Sequence, residues 1–529
     1  MIDPELRADV EAWIAGDPHE ADRAELSDLL TLGAKDALRE RFAGPLTFGT
    51  AGLRGPLRAG PNGMNLAVVR RTTAGIARWV RSLGGSTVVV GYDARHRSVE
   101  FALDTAATLA GAGLTVRLAD RAWPTPCTAF AVAWCGAHAA VQITASHNPA
   151  RDNGYKVYDA TGAQIIPPDD TRIAAEIAAQ PSASTIPTLS VEPELGDDLF
   201  DAYCAMALEA TPPNGDGSGV RIVYTPLHGV GGALALRLLR AAGFAAVHPV
   251  DVEMTPDPDF PGLPFPNPEE DGVLDAADAV AVREALAERD IVVANDPDAD
   301  RIAVAVTSPV HGRRRLSGDE LGTLLGEARL SSTHGRRIVA RSRVSSSALS
   351  VAAAAHGAEC IVTPTGFKWL VRAADGRGAP LVFAYEEALG YAVTNRVRDK
   401  DGMTALLLVA RLAATEHLLE RLARVAARDG LFVTSQWAPR FEGSGGHDEM
   451  RNALARLDAG EADPIEVAFP EGTAKVRQSG TEAKLKCYFE VVLTFDEPSA
   501  FAYETARERG LVACERMRVA LAERLGLAS

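Results

Sequence analysis

IVVANDPDADR, residues 291–301, is an apolar run that ends abruptly in three alternating carboxylates, Asp296, Asp298 and Asp300. Residues 291–294 have the β-branched composition of a buried strand, and another apolar run surrounds Val304. Carboxylates at i, i+2 and i+4 in a loop can converge hard oxygens on one Mg²⁺ or Ca²⁺. A calcium EF-hand loop needs Gly at its sixth position and Glu at its twelfth, where this chain has Arg301 and Thr307. That reading fails. A solvated acidic turn is the ordinary alternative, but three like charges pinned between apolar strands repel strongly without a cation. The expectation is a metal site, with Mg²⁺ preferred because it is commonly bound by carboxylates together with a phosphate.

The same rhythm of strand followed by polar cluster extends outward. Strands are expected at 87–91, 116–118 and 139–143, with a helix over 99–113. A second round has strands at 220–224, 245–250 and 291–294 with helices over 232–242 and 276–289. A third has strands at 338–341, 360–363 and 381–384 and a helix near 347–355. Such alternation predicts βαβ units on mixed or parallel sheets. The first forty residues read as a helical extension, residues 403–427 as one long helix, and the last hundred as an α+β module. Stretches rich in Pro, Ser and Thr at 181–193 and 211–219 mark a linker region. Ser146, Asp296, Thr365 and Glu386 all sit just after strands, where α/β sheets bind ligands.

Each remaining cluster is ambiguous alone. Ser146 lies in TASHNP (144–149), which suits a nucleophile or phosphate carrier but also a plain turn. A hydrolase elbow, G-x-S-x-G, is absent around it. RQSGTEAK (477–484) packs Arg477, Ser479, Gly480, Thr481 and Lys484 into an oxyanion cradle or an exposed polar turn, and is not a Walker loop. TPTGFK (363–368), with Thr365, Gly366 and Lys368, precedes YEEALG (385–390). The acids Glu386 and Glu387 suit sugar hydroxyls, though acids at helix starts are common for dipole reasons.

At 529 residues the chain is too long for one core. It carries 54 Lys plus Arg against 70 Asp plus Glu, a net charge of −16, which disfavours nucleic acid as a partner. An anionic substrate would therefore need a local positive pocket. Six scattered cysteines without a C-x-x-C pair suit a reducing compartment. The N-terminus is acidic and amphipathic, unlike a targeting peptide, and the most apolar helical run, 405–414, is short and carries Arg411. A cytoplasmic protein with no membrane partner is expected.

In order, GTAGLRG (49–55), GYDARHRS (91–98), TASHNP, DPDADR, YEEALG and RQSGTEAK resemble the motifs of the α-D-phosphohexomutase family (phosphoglucomutases and phosphomannomutases). The N-terminal extension, YTPLHGVG (224–231) and RDKDG (398–402) are most similar to the phosphoglucomutase-2/phosphopentomutase branch. The resemblance implies an α/β architecture of four domains, three related βαβ-type mixed-sheet units and a C-terminal α+β unit, around a central cleft. Their expected limits are 1–205, 206–312, 313–430 and 431–529. It implies a phosphorylated Ser146 that binds Mg²⁺ together with Asp296, Asp298 and Asp300. Arg54, Lys156, Arg301 and His147 would line the reaction centre, His147 more in a structural role than in proton transfer. Thr365, Gly366, Lys368 and Glu386 would bind the sugar phosphate, and Arg477, Ser479, Gly480, Thr481 and Lys484 the phosphate that is not reacting. The implied reaction interconverts hexose 1-phosphate and 6-phosphate, glucose foremost, through a sugar bisphosphate. Mannose or pentose phosphates are the nearest alternatives, and a metal-dependent phosphatase is the rival outside the family. Two departures stand out. Ala388 occupies the serine position of the E-x-S sugar loop, and Gln478 and Ala483 replace frequent prolines.

Overall fold

Residues 88–90, three consecutive valines, are fully buried, so the strand that holds them is covered on both faces. In the computed structural model, which describes residues 2–49, 52–211, 219–441, 445–457, 463–479 and 483–527, this strand centres the first of four sheets. The first sheet contains β1 (Leu53–Pro56), β2 (Thr87–Tyr92), β3 (Thr115–Leu118), β4 (Ala139–Ile143) and β5 (Asp152–Asp159), ordered β1-β5-β4-β2-β3. The second contains β6 (Ile222–Thr225), β7 (Val247–Pro249), β8 (Ile291–Asn295), β9 (Ile302–Ser308) and β10 (Gly312–Arg315), ordered β10-β9-β8-β6-β7. The third contains β11 (Ile338–Ser342), β12 (Glu359–Thr363), β13 (Leu381–Glu386) and β14 (Gly390–Ala392), ordered β12-β11-β13-β14.

These three sheets share one plan. A first strand (β2, β6 or β11) pairs in parallel with the next strand on one side and with a third on the other. The third then turns back into an antiparallel partner. The three turns so formed are residues 144–151, 296–301 and 387–389. They hold Ser146, the three aspartates and the end of the YEEALG stretch.

The last sheet is different: β15 (Leu431–Trp437), β16 (Ile465–Ala468), β17 (Gly472–Gln478) and β18 (Leu485–Leu493) are antiparallel throughout. Alternate residues Cys487, Phe489 and Val491 of β18 face a core completed by Cys514, Met517 and Leu521 of helix Ala500–Leu525. That helix is tied back by Glu504, fully buried, which accepts from Arg314 Nε at 2.9–3.0 Å and from Ser308 Oγ at 3.1 Å. The mixed α/β architecture with an added C-terminal α+β unit matches expectation. Residue 205 lies inside helix Asp197–Ala210, and residue 312 is the first of β10.

Several elements differ from the sequence reading. The long helix expected over 403–427 is two, Gly402–Thr415 and Leu418–Asp429, bent by 89°. Glu416 between them is extended, its carboxylate bridging Arg421 and Arg424, while the His417 ring bonds the Thr307 carbonyl. An apolar stretch flanks this break on both sides, so periodicity alone could not reveal it. The strand expected at 245–250 narrows to β7, and the helix expected at 276–289 to Asp275–Arg283. Among the described residues no single helix is long and apolar enough to cross a membrane.

Candidate active site

Ser146 sits in the first turn with φ of +52°, a left-handed conformation that costs a non-glycine residue about 1 kcal/mol or more. Local bonds hold it there. Its N–H donates to Thr144 Oγ1 at 2.8 Å. The guanidinium of Arg95, from the loop after β2, donates to the carbonyls of Ser146 and Asn148 at 2.6 Å, Pro149 at 2.9 Å and Asp152 at 3.2 Å. Asp93 lies 3.4 Å from that guanidinium. Arg54 reaches the same turn through Asn148 Oδ1 at 3.0 Å. The hydroxyl of Ser146 faces His147 Nδ1 and Asp296 Oδ2, each at 3.1 Å.

Asp296, Asp298 and Asp300 are fully buried and present one oxygen each within 4.8 Å of one another. Burial first, then Asp300 and Asp298, push the Asp296 carboxyl well above the usual range. Burial also opposes the charge on Asp298, but Lys156 outweighs it through charge and a hydrogen bond, helped by Thr125, and holds the group low. The bonds are short: Lys156 Nζ to Asp298 Oδ2 at 2.7 Å and to Asp300 Oδ2 at 2.9 Å, and Thr125 Oγ1 to Asp298 Oδ2 at 2.6 Å. Lys400 adds a contact to Asp300 Oδ2 at 3.1 Å. The other oxygens, Asp298 Oδ1 and Asp300 Oδ1, are buried without a hydrogen-bond partner. Two orphaned hard oxygens beside Asp296 and the Ser146 hydroxyl fit a divalent cation.

The third turn joins this centre. Arg301 and Gly390 form a β-bridge, Ile302 N–H donates to the Leu389 carbonyl at 3.3 Å, and Arg301 Nη1 pairs with Glu269 at 2.8 Å. Glu386 is buried at this junction; burial raises its carboxyl, against the pull of Lys400 and Arg301. Glu387 points the other way, accepting from Ser342 and Ser345 at 3.1 and 3.0 Å. Ala299 and Leu389, like Ser146, are non-glycine residues with positive φ. Each turn is also clasped from the loop after its first strand: by Arg95, by Val230 N–H to the Pro297 carbonyl at 2.8 Å, and by Ser345.

The structure thus gathers Ser146, His147, Arg54, Lys156, Arg301, Glu386 and the three aspartates. Arg477 stands on β17, and Ser479 N–H closes the hairpin onto the Lys484 carbonyl at 2.9 Å. Gly480 and Thr481 lie outside the described residues, as do Thr50 and Ala51 of GTAGLRG. The hairpin faces the third turn: Lys486 is held low by burial, Lys484 and Arg477, and drawn up by Glu387 and Glu269. Lys368, half-buried beside Trp369, is brought down to about 8 by burial, with Asp170 and Arg372 near it. Thr365 and Gly366 immediately precede helix Phe367–Leu370, Gly366 at φ of +116°. Sequence reasoning assigned no site role to Arg95, Thr125 or Lys400. Arg95 and Lys400 sit in the GYDARHRS and RDKDG stretches, whereas nothing around Thr125 signals its contact with Asp298.

Residues 45–184, 201–309 and 317–428 match domains I, II and III described as "Phosphoglucomutase/phosphomannomutase, alpha/beta/alpha domain". A "Probable phosphomannomutase" of Haemophilus influenzae is 36% identical, covering 81% of this chain and 93% of that protein. The chain belongs to the phosphoglucomutase/phosphomannomutase family. Its members are α-D-phosphohexomutases, isomerases that transfer phosphate within the substrate, and this chain is such an enzyme. The phosphopentomutase of Mus musculus is 31% identical over 93% of this chain and 91% of that protein. The phosphoglucomutase of Staphylococcus epidermidis is 30% identical over 88% and 94%. A solved phosphoglucomutase/phosphomannomutase family protein of Burkholderia thailandensis shares the fold, with a TM-score of 0.67 at 23% identity over 89% of this chain and 97% of that one.

Two outcomes follow from the electrostatics of this phosphohexomutase site. Lys156→Met removes the cation shared by two buried carboxylates and should cost about 3–5 kcal/mol in urea unfolding with chelator, part of it restored by an added divalent cation. Burial, Glu386 and Asp319 push the Glu387 carboxyl up to about 7 from 4.5. A raised folded value favours folding fully below 4.5, and that contribution is lost as pH rises through about 7. Glu387→Gln should therefore flatten the pH dependence of unfolding, and exceed wild type at about pH 8 by on the order of 2 kcal/mol.

Proposed function

We propose that this enzyme interconverts hexose 1-phosphate and hexose 6-phosphate, glucose first among the sugars, using Ser146 as phosphate carrier and Mg²⁺ as its metal. The observation that carries the reading is the Ser146 hydroxyl, 3.1 Å from Asp296 inside a centre with two orphaned carboxylate oxygens. Asp296, Asp298 and Asp300, with the phosphorylated serine, would hold the ion. When bound, it supplies charge neutralisation to the moving phosphoryl group.

The protein's own groups do the rest. The Arg95 clasp holds the backbone of the Ser146 turn, while His147 and Asp296 contact the serine oxygen itself. Arg54, Lys156 and Arg301 offset phosphoryl charge in a site where low dielectric makes each cation count. His147, kept uncharged by burial, Arg301 and Arg54, orients the serine oxygen through Nδ1. Glu386 and the residues at 365–368 grip the sugar phosphate. Arg477, Ser479, Gly480, Thr481 and Lys484 hold the phosphate not in transfer. Phosphate passes from Ser146 to a sugar hydroxyl; the bisphosphate turns about, and its other phosphate returns to Ser146.

The relatives named for mannose, pentose and glucose make sugar choice the finer question. Ala388 offers the sugar no hydroxyl contact, which leaves ring recognition to Glu386. The proposed domain divisions fall near residues 205, 312 and 430. The cytoplasm is the proposed compartment, in keeping with six free cysteines, four of them buried.

Ser146→Ala should reduce mutase turnover by at least about 10³-fold with unchanged unfolding, measured in coupled assays on glucose, mannose and ribose 1-phosphates. Near-full activity of that variant would end the proposal. A higher kcat/KM for ribose than for glucose 1-phosphate would replace the sugar assignment while keeping the chemistry.

A further inference from the structure

Residues 2–44 precede the first matched family domain, and fold as helices Pro4–Gly16, Glu20–Thr31 and Lys35–Arg41 around Val10, Leu26 and Leu38. This extension makes a charged contact with domain I at one position that bears on the site. Asp22, buried, accepts both Nη atoms of Arg97, at 2.8 and 3.1 Å. His19 lies 3.0 Å from Asp22 and 3.2 Å from Glu100, and Glu100 accepts from Arg97 Nε at 2.6 Å.

Arg97 is two residues from Arg95 and has φ of +64°, a conformation unfavourable for arginine. The residues between β2 and helix Ser98–Gly111 form one short loop, fastened at one end by the Asp22 pair. At the other end Arg95 clasps the four carbonyls around Ser146. An element outside the βαβ plan also grips the equivalent loop of the third unit. Glu490 of β18 accepts from Ser346 Oγ and Ser347 Oγ at 2.6 Å, next to Ser345, which holds Glu387.

We infer that the N-terminal extension is a brace for the reaction centre, with Asp22 a positioning residue that acts through Arg97 and Arg95 on the Ser146 turn. A bidentate Arg–carboxylate pair fixes direction as well as distance. It therefore supports the strained Arg97 backbone, and with it the angle at which Arg95 enters the turn. The role of the turn in phosphate transfer rests on the proposed chemistry, but the mechanical link does not.

The test is Asp22→Ala in the full chain, read by mutase kinetics and by hydrogen exchange. The expected result is kcat lower by about tenfold with KM changed less than about twofold, and faster exchange in residues 93–98 and 144–152 but not in helix Leu66–Ser82. Asp22→Glu, which keeps the charge, should recover most of the loss. Should the alanine variant unfold, Asp22→Asn, of the same shape, takes its place with the same expected direction. Glu40→Ala, which removes another ion pair between the extension and domain I, from exposed Glu40 to Arg58, should leave kcat unchanged. Wild-type kcat in Asp22→Ala, or a loss without faster exchange at 144–152, overturns the inference. If Ser146→Ala is inactive while Asp22→Ala is unaffected, the brace fails and the phosphoserine chemistry stands.

Discussion

Three aspartates with no solvent contact lie within five consecutive positions, and that concentration of charge governs what surrounds it. Buried carboxylates persist only when they are paired, hydrogen-bonded or bound to a cation. Lys156 from the first unit, Lys400 from the third and Thr125 from the first unit approach the same oxygens. The Arg301 N–H closes the loop onto Asp296 at 2.9 Å. Each partner satisfies one side of a carboxylate. Asp298 Oδ1 and Asp300 Oδ1 are left without a partner, and Asp296 Oδ2 faces Ser146. The same contacts that balance the charge bring the Ser146 turn to the acidic loop, which doubles as the joint between three units.

That joint works because the three units repeat a topology. In each, the turn between the third strand and its antiparallel partner carries candidate site residues, and the loop after the first strand steadies it. Domain I uses a guanidinium, domain II a backbone N–H with Gly229 packed against Pro297, and domain III serine hydroxyls. A Cβ on Gly229 would lie 2.3 Å from the Pro297 Cα, so the second clasp depends on its having none. Positive φ at Ser146, Ala299 and Leu389 shows the same turns under similar strain.

The sequence made the strand-then-cluster rhythm legible, because buried strands write themselves as short β-branched runs with turn residues after them. The aspartate loop was legible for the same reason: three carboxylates between such runs need a cation. Arg95 and Lys400 were visible only as members of motifs, since nothing local distinguishes an arginine that clasps carbonyls 51 or more residues away. Thr125 gave no signal, because its partner lies 173 residues along the chain. The break at Glu416 was hidden by apolar flanks that continue the helical pattern on either side. Left-handed φ at Ser146 and Leu389 was equally hidden, because neither residue type favours it.

The proposed reaction passes through one covalent event, the residence of substrate phosphate on Ser146. The most direct measurement is to incubate the protein with sugar bisphosphate labelled with ³²P, digest it, and map the label. The account predicts one labelled peptide, carrying its phosphate at Ser146, and loss of that label to unlabelled sugar monophosphate. Label at another residue, or an enzyme that turns over without ever acquiring label, would contradict it.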